Sequence, residues 1–126
     1  MQYKREESFR YEFNSPLNAT FKLIKLATAD VDSNEGKMLI IDISGGGLKM
    51  SSHLELPDPK TTKTSIEMDI ELANETLEVQ GEVVWKNSYN SSFQYGIDFT
   101  YTDKESQELI TLLKKHIKQS KQPKEE

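Results

Sequence analysis

Asp42, Ser44, Gly46 and Gly47 fall within one stretch, Asp42-Ile43-Ser44-Gly45-Gly46-Gly47-Leu48-Lys49, whose residue types could bind a small ligand. An ionised carboxylate accepts hydrogen bonds, and a hydroxyl both donates and accepts. Adjacent glycines let another group approach the main chain or let the chain pass through positive φ. The same residues could equally form a turn that bonds only to itself, with the Asp and Ser side chains satisfying their own backbone. Spacing excludes two phosphate loops. A Walker A loop needs Gly-Lys-Ser/Thr closing onto a helix, whereas here Leu48 separates Gly47 from Lys49 and Met50 continues a strand-like alternation. A dinucleotide fingerprint would place its last glycine at Met50, with a crossover helix after it.

The second concentration of chemistry is at the front, where Lys4, Arg5 and Arg10 lie among Glu6, Glu7 and Glu12. A net charge of -5 argues against a general binder of nucleic-acid polymers, whose affinity rests on phosphate neutralisation, but a local basic patch suits a small anion. A barrel for single-stranded nucleic acid would want a basic groove with exposed aromatics, and the strand faces here are acidic. No catalytic or metal-binding constellation is visible: His53 and His116 stand apart, the carboxylates mostly alternate outward, and cysteine is absent. The chain is therefore expected to be a binding domain, with no enzyme activity, metal or cofactor. Its longest apolar run is too short to span a bilayer, and its polar start lacks a signal peptide's apolar core, so it is expected to be cytoplasmic with no membrane insertion.

The elements that must position these residues read as mostly β. Residues 1–16 are charged, end at Ser15-Pro16 and are expected to form a flexible arm that can lie extended, with Phe9, Tyr11 and Phe13 as anchors. From Leu17 to Ala27 a strand changes face near Ile24, which predicts a bulge. Lys37 to Ile43 reads as a strand with Leu39, Ile41 and Ile43 on one side, and Leu48 to Ser51 as the next, before a loop marked by Pro57 and Pro59. Ile66, Met68, Ile70 and Leu72 alternate with Glu67, Asp69 and Glu71. Leu77 to Trp85 and Phe93 to Tyr101 repeat the pattern, describing an antiparallel meander with one buried face. Thr102-x-x-Glu105 fits a capping box, and Leu109, Ile110, Leu112, Leu113 and Ile117 form a helical stripe. The expected architecture is all-β: a six-stranded antiparallel barrel over 17–118 that includes one C-terminal α-helix, followed by a frayed tail, 119–126.

Around the glycine joint the sequence resembles the PilZ family, the bacterial receptor domains for cyclic diguanylate (cyclic di-GMP), and the resemblance covers nearly the whole chain. Asp42, Ser44 and Gly47 match its Asp/Asn-x-Ser-x-x-Gly signature, and Gly81-Glu82-Val83-Val84-Trp85 and Tyr95-Gly96-Ile97-Asp98-Phe99 are also similar. Arg10 matches the second half of its Arg-x-x-x-Arg signature, but Glu6 stands four residues earlier, with Arg5 and Lys4 just beyond. Either one extra residue bulges and lets Arg5 take the missing place, or the site has lost an anchor. The resemblance implies ligand-binding roles for Arg5, Arg10, Asp42, Ser44, Gly46 and Gly47, with Lys4 as a further contact. Guanidinium groups would fork to phosphate or guanine, Asp42 would accept from guanine N–H groups, Ser44 would bond base or phosphate, and Gly47 would let the ligand reach the backbone. It further implies a receptor whose arm closes on cyclic di-GMP and signals to an unidentified protein effector in motility or biofilm regulation. The alternative, which Glu6 favours, is a degenerate domain that binds a protein and no nucleotide. Asp42 and Ser44 are both expected at the surface of the joint.

Overall fold

The computed structural model of the protein describes residues 10–121, with side chains to residue 119. Period-two alternation yields seven strands before a single helix: β1 (Arg10–Leu26), β2 (Ala29–Asp30), β3 (Gly36–Ser44), β4 (Gly47–Ser52), β5 (Thr64–Leu72), β6 (Glu75–Tyr89), β7 (Ser92–Phe99) and α1 (Asp103–Lys121). All pairings are antiparallel, in the order β2-β1-β3-β4-β7-β6-β5, and β1 also pairs with β5. Six strands thus close into a ring, which leaves few open edges. The expected count of six strands is corrected to seven by β2. Ala27 adopts a left-handed conformation (φ 56°) that folds the chain straight back, so Ala29 and Asp30 pair with Leu26 and Lys25.

β1 starts at Arg10, inside the stretch expected to be the arm, while residues 1–9 lie outside the described residues. Arg10, Tyr11 and Glu12 pair with Ser44, Ile43 and Asp42, then the ladder slips before resuming at Leu17 opposite Ile40. Pro16 has no N–H to give to that ladder, so the interruption falls where the chain cannot pair. Phe13, within the slip, turns into the core, where its ring meets His116 edge-on at 5.9 Å. Further along, β1 leaves β3 for β5, and the expected bulge appears between Leu23 and Lys25.

Ile66, Met68, Ile70 and Leu72 are wholly buried, as their alternation requires. Two other faces differ from the simple alternation. In β3 the buried apolar side chains are Met38, Ile40 and Ile43, because a register shift between Ile40 and Asp42 makes Ile41 the extra residue of a bulge. In β6 a shift between Val83 and Trp85 turns Trp85 outward, leaving it 39% exposed instead of buried. Period two fails wherever an unpaired residue is inserted.

The capping box forms as expected: Thr102 Oγ1 accepts from the Glu105 amide at 3.2 Å, and Glu105 accepts from the Thr102 amide at 3.0 Å. α1 lays Leu109 and Leu113, both fully buried, over the core and runs past residue 118 to Lys121. Either leucine cut to alanine would cost about 2–5 kcal/mol. His116 ties the helix to the sheet: its Nδ1 accepts from the Ala73 amide at 3.2 Å, joining α1 to the turn between β5 and β6. At 53–63, Tyr95 holds the loop by donating to Leu54 O and accepting from Leu56 N, both at 2.8 Å, and burial raises its pKa.

Candidate functional site

Cross-strand register lines up outward-facing positions from four adjacent strands. Asp42 on β3 lies opposite Lys49 on β4, Lys49 opposite Gly96 on β7, and Gly96 opposite Trp85 on β6. At about 4.8 Å per strand the row spans roughly 14 Å, the reach of a small polycyclic ligand. Arg10, from the start of β1, closes its near end by pairing with Asp42 Oδ1. These residues, with Gly46, Gly47 and Asp98, line a groove of about 330 Å³.

Asp42 is the electrostatic centre of the groove. The β3 bulge that returns Ile43 to the core leaves Asp42 on the outer face, yet its side chain is only 13% exposed. Arg10 engages Oδ1, and Lys49 Nζ stands 4.0 Å from Oδ2. A charge-assisted acceptor is thereby held in place by two cations that could also serve an anion.

The glycine joint is built from beneath by Ser44, which is wholly buried and not at the surface of the joint as the sequence suggested. Its Oγ accepts from the Gly46 amide at 3.2 Å and donates to Gly47 O at 3.3 Å. Among the described glycines none has positive φ, so within the joint it is close approach at Gly47, not turn geometry, that demands glycine. A Cβ on Gly47 would lie 2.1 Å from Ile97 O, so Gly47 is required by the neighbouring strand β7. Gly46 O accepts from the Phe99 amide at 2.9 Å, Tyr101 donates its hydroxyl to Gly45 O, and Gly45 faces Ile110 of α1. At Gly96 a Cβ would collide with the Trp85 indole, which lies across that position.

The structure therefore brings Arg10, Asp42, Gly46 and Gly47 together at one groove and sets Ser44 below it, while Lys4 and Arg5 lie outside the described residues. Lys49, Trp85, Gly96 and Asp98 also belong to the groove; they lie in stretches quoted from the sequence but were given no ligand-binding role there. Their signal is register, which appears only once β4, β6 and β7 are paired. A larger groove of about 640 Å³ between β1 and β5 is lined by Lys37 with Asp69 and Glu71, a charge balance that suits a dianion poorly.

The PilZ domain family model matches residues 4–115. The chain belongs to the PilZ domain family. Domains of this family are binding and adaptor domains, generally receptors for cyclic di-GMP. This PilZ domain is also similar in fold to solved structures. One is the PilZ domain of CeSA from a cellulose-synthesising bacterium, with 18% identity and a TM-score of 0.57 over 86% of this chain and 97% of that one. Another is the Bacillus subtilis inhibitor of motility, MotI/DgrA, with 16% identity and a TM-score of 0.56 over 95% of this chain. The PilZ domain spans about half of that second protein, 52% of its chain. No curated protein matches the sequence. Among the described residues no helix is long and apolar enough to cross a membrane.

Proposed function

We propose that this PilZ domain is a cytoplasmic receptor that binds cyclic di-GMP in the groove between Arg10 and Trp85, and that a separate protein reads the bound state. The observation that carries this reading is the Arg10–Asp42 pair at the groove's end. A cation suited to phosphate and an acceptor suited to guanine are held against each other. A ligand with both groups can replace that one contact by two charge-assisted ones. Phosphate oxygens take the fork of Arg10, and the N1–H and amino group of guanine meet the Asp42 oxygens. Gly46 and Gly47 keep the backbone low beside the ligand, Ser44 fixes the joint from below, and the exposed Trp85 indole presents an aromatic face to a purine. Arg5 adds a second guanidinium if the arm absorbs one residue, with Lys4 as a point charge beside it.

Output to a partner in envelope or motility machinery is supported by the similar structures, one a CeSA domain and the other an inhibitor of motility. Glu6, where the family signature has arginine, favours a second reading in which the domain binds protein without nucleotide. Isothermal titration with cyclic di-GMP separates the two. Wild-type binding that Arg10→Ala and Asp42→Ala each weaken by roughly tenfold or more supports the receptor. A silent wild type with binding created by Glu6→Arg assigns the second reading. Amide exchange over residues 1–13 must slow at saturating nucleotide if the arm closes, and unchanged exchange refutes that closure.

A further inference from the structure

The groove contains a cation that the arm does not supply. Lys49 sits at the middle of the cross-strand row, directly opposite Asp42 on one side and Gly96 on the other. We propose that Lys49 is the second phosphate-binding cation of the groove, filling from β4 the place that Glu6 leaves open in the arm. This rests on the groove being a cyclic di-GMP site.

Three features support the assignment. First, Lys49 and Arg10 flank the same carboxylate from opposite oxygens, so two positive charges surround one negative charge where an anion would enter. The groove's other carboxylate, Asp98, lies opposite Gly47, two residues along the β4–β7 ladder from the Lys49–Gly96 pair. Second, the 4.0 Å separation of Lys49 Nζ from Asp42 is an ion pair beyond hydrogen-bond range, so turning the ammonium toward a phosphate gives up little. Third, β4 is paired on both sides, with β3 and β7, which fixes the Lys49 backbone before any ligand arrives. The Trp85 indole, lying across Gly96, walls the far side of the groove that Lys49 also lines. A cation carried on such a ladder needs less ordering on binding than one delivered by a terminal segment.

The test is titration of cyclic di-GMP into the full chain at several salt concentrations, comparing wild type, Lys49→Gln, Lys49→Arg and Arg5→Ala. Lys49→Gln should weaken binding by on the order of tenfold and flatten the dependence of affinity on salt, since one fewer cation meets the phosphates. Lys49→Arg should retain most of the affinity, and Arg5→Ala should lose less than Lys49→Gln. The thermal midpoint of ligand-free Lys49→Gln should match wild type, because the side chain is 37% exposed and its ion pair is long. Wild type that binds, together with a Lys49→Gln variant of equal affinity and equal salt dependence, overturns the assignment of Lys49 alone. Wild type that does not bind overturns the receptor reading and this inference with it.

Discussion

Ser44→Ala separates what the glycine joint does for the fold from what it does for a ligand. The Ser44 hydroxyl is fully buried, accepting from the Gly46 amide at 3.2 Å and donating to Gly47 O at 3.3 Å. Both are at or beyond the long end of the normal range, so each contributes toward the lower end of about 0.5–1.5 kcal/mol. Alanine loses both bonds in a joint that already has little slack, since Gly47 is pressed against Ile97 O. A loss of about 1–2 kcal/mol follows, which for a domain of this size lowers the thermal midpoint by roughly 3–8 °C. Asp42→Ala is the matched comparison. It removes the pair with Arg10 and the long pair with Lys49, whose side chains are 44% and 37% exposed, and should cost no more than about 1 kcal/mol. Differential scanning calorimetry of the ligand-free variants, paired with nucleotide titration, reads both effects. The expected pattern is that both variants bind cyclic di-GMP less well but only Ser44→Ala melts clearly earlier. Should Ser44→Ala melt with wild type and still lose the nucleotide, the hydroxyl acts on the ligand directly and the reasoning from its two internal bonds is wrong.

Gly96→Ala should push the Trp85 indole off β7. As Trp85 is the only tryptophan, its emission should shift to longer wavelength while affinity falls, and an unshifted spectrum refutes the packing. Thr64→Val should raise stability by about 1 kcal/mol in chemical denaturation, because the fully buried Thr64 hydroxyl has no hydrogen-bond partner among the described residues. Glu78 has its pKa raised above 4.5, first by a hydrogen bond with Glu67 and then by the charges of Glu67 and Asp69. Its contribution to stability is therefore present below the ordinary value and lost as pH rises through the folded value. Glu78→Gln should accordingly raise the thermal midpoint more at about pH 7 than at about pH 4.5, and equal shifts at both would contradict the charge argument.

Much of the fold is legible in local pattern. In β5, Ile66, Met68, Ile70 and Leu72 are buried at their expected places, the capping box at Thr102 and Glu105 forms, and the slip near Ile24 is a bulge. What alternation cannot show is a register shift without a change in apolar content. Ile40 and Ile41 are chemically interchangeable, and Trp85 reads as inward-facing in step with Val83 until the bulge turns the indole out. Nor does any local signal tell that β1 divides its pairing between β3 and β5. At the candidate site, Asp42, Ser44 and the glycines stand out as residue types, but the sequence does not distinguish a hydroxyl aimed at a ligand from one holding its own turn. Lys49 and Asp98 lie in the stretches quoted from the sequence, yet nothing local marks either as a groove residue. They gain significance only through the neighbours that pairing gives them.

The split pairing of β1 also orders events as the protein is made. Its first half finds β3 within the next stretch of chain, whereas Thr20 to Leu26 must wait for Thr64 to Asp69. Closure therefore depends on contacts distant in sequence, the kind that slows folding and leaves strand edges open meanwhile. The nascent chain can place Arg10 near Asp42 well before the ring is sealed. Until β6 and β7 emerge, however, Lys49 faces no Gly96 and the groove has no aromatic wall. During synthesis the exposed β4 edge is thus the vulnerable surface. Variants that delay β7 should betray themselves by aggregation during expression before any loss appears in the purified, folded protein.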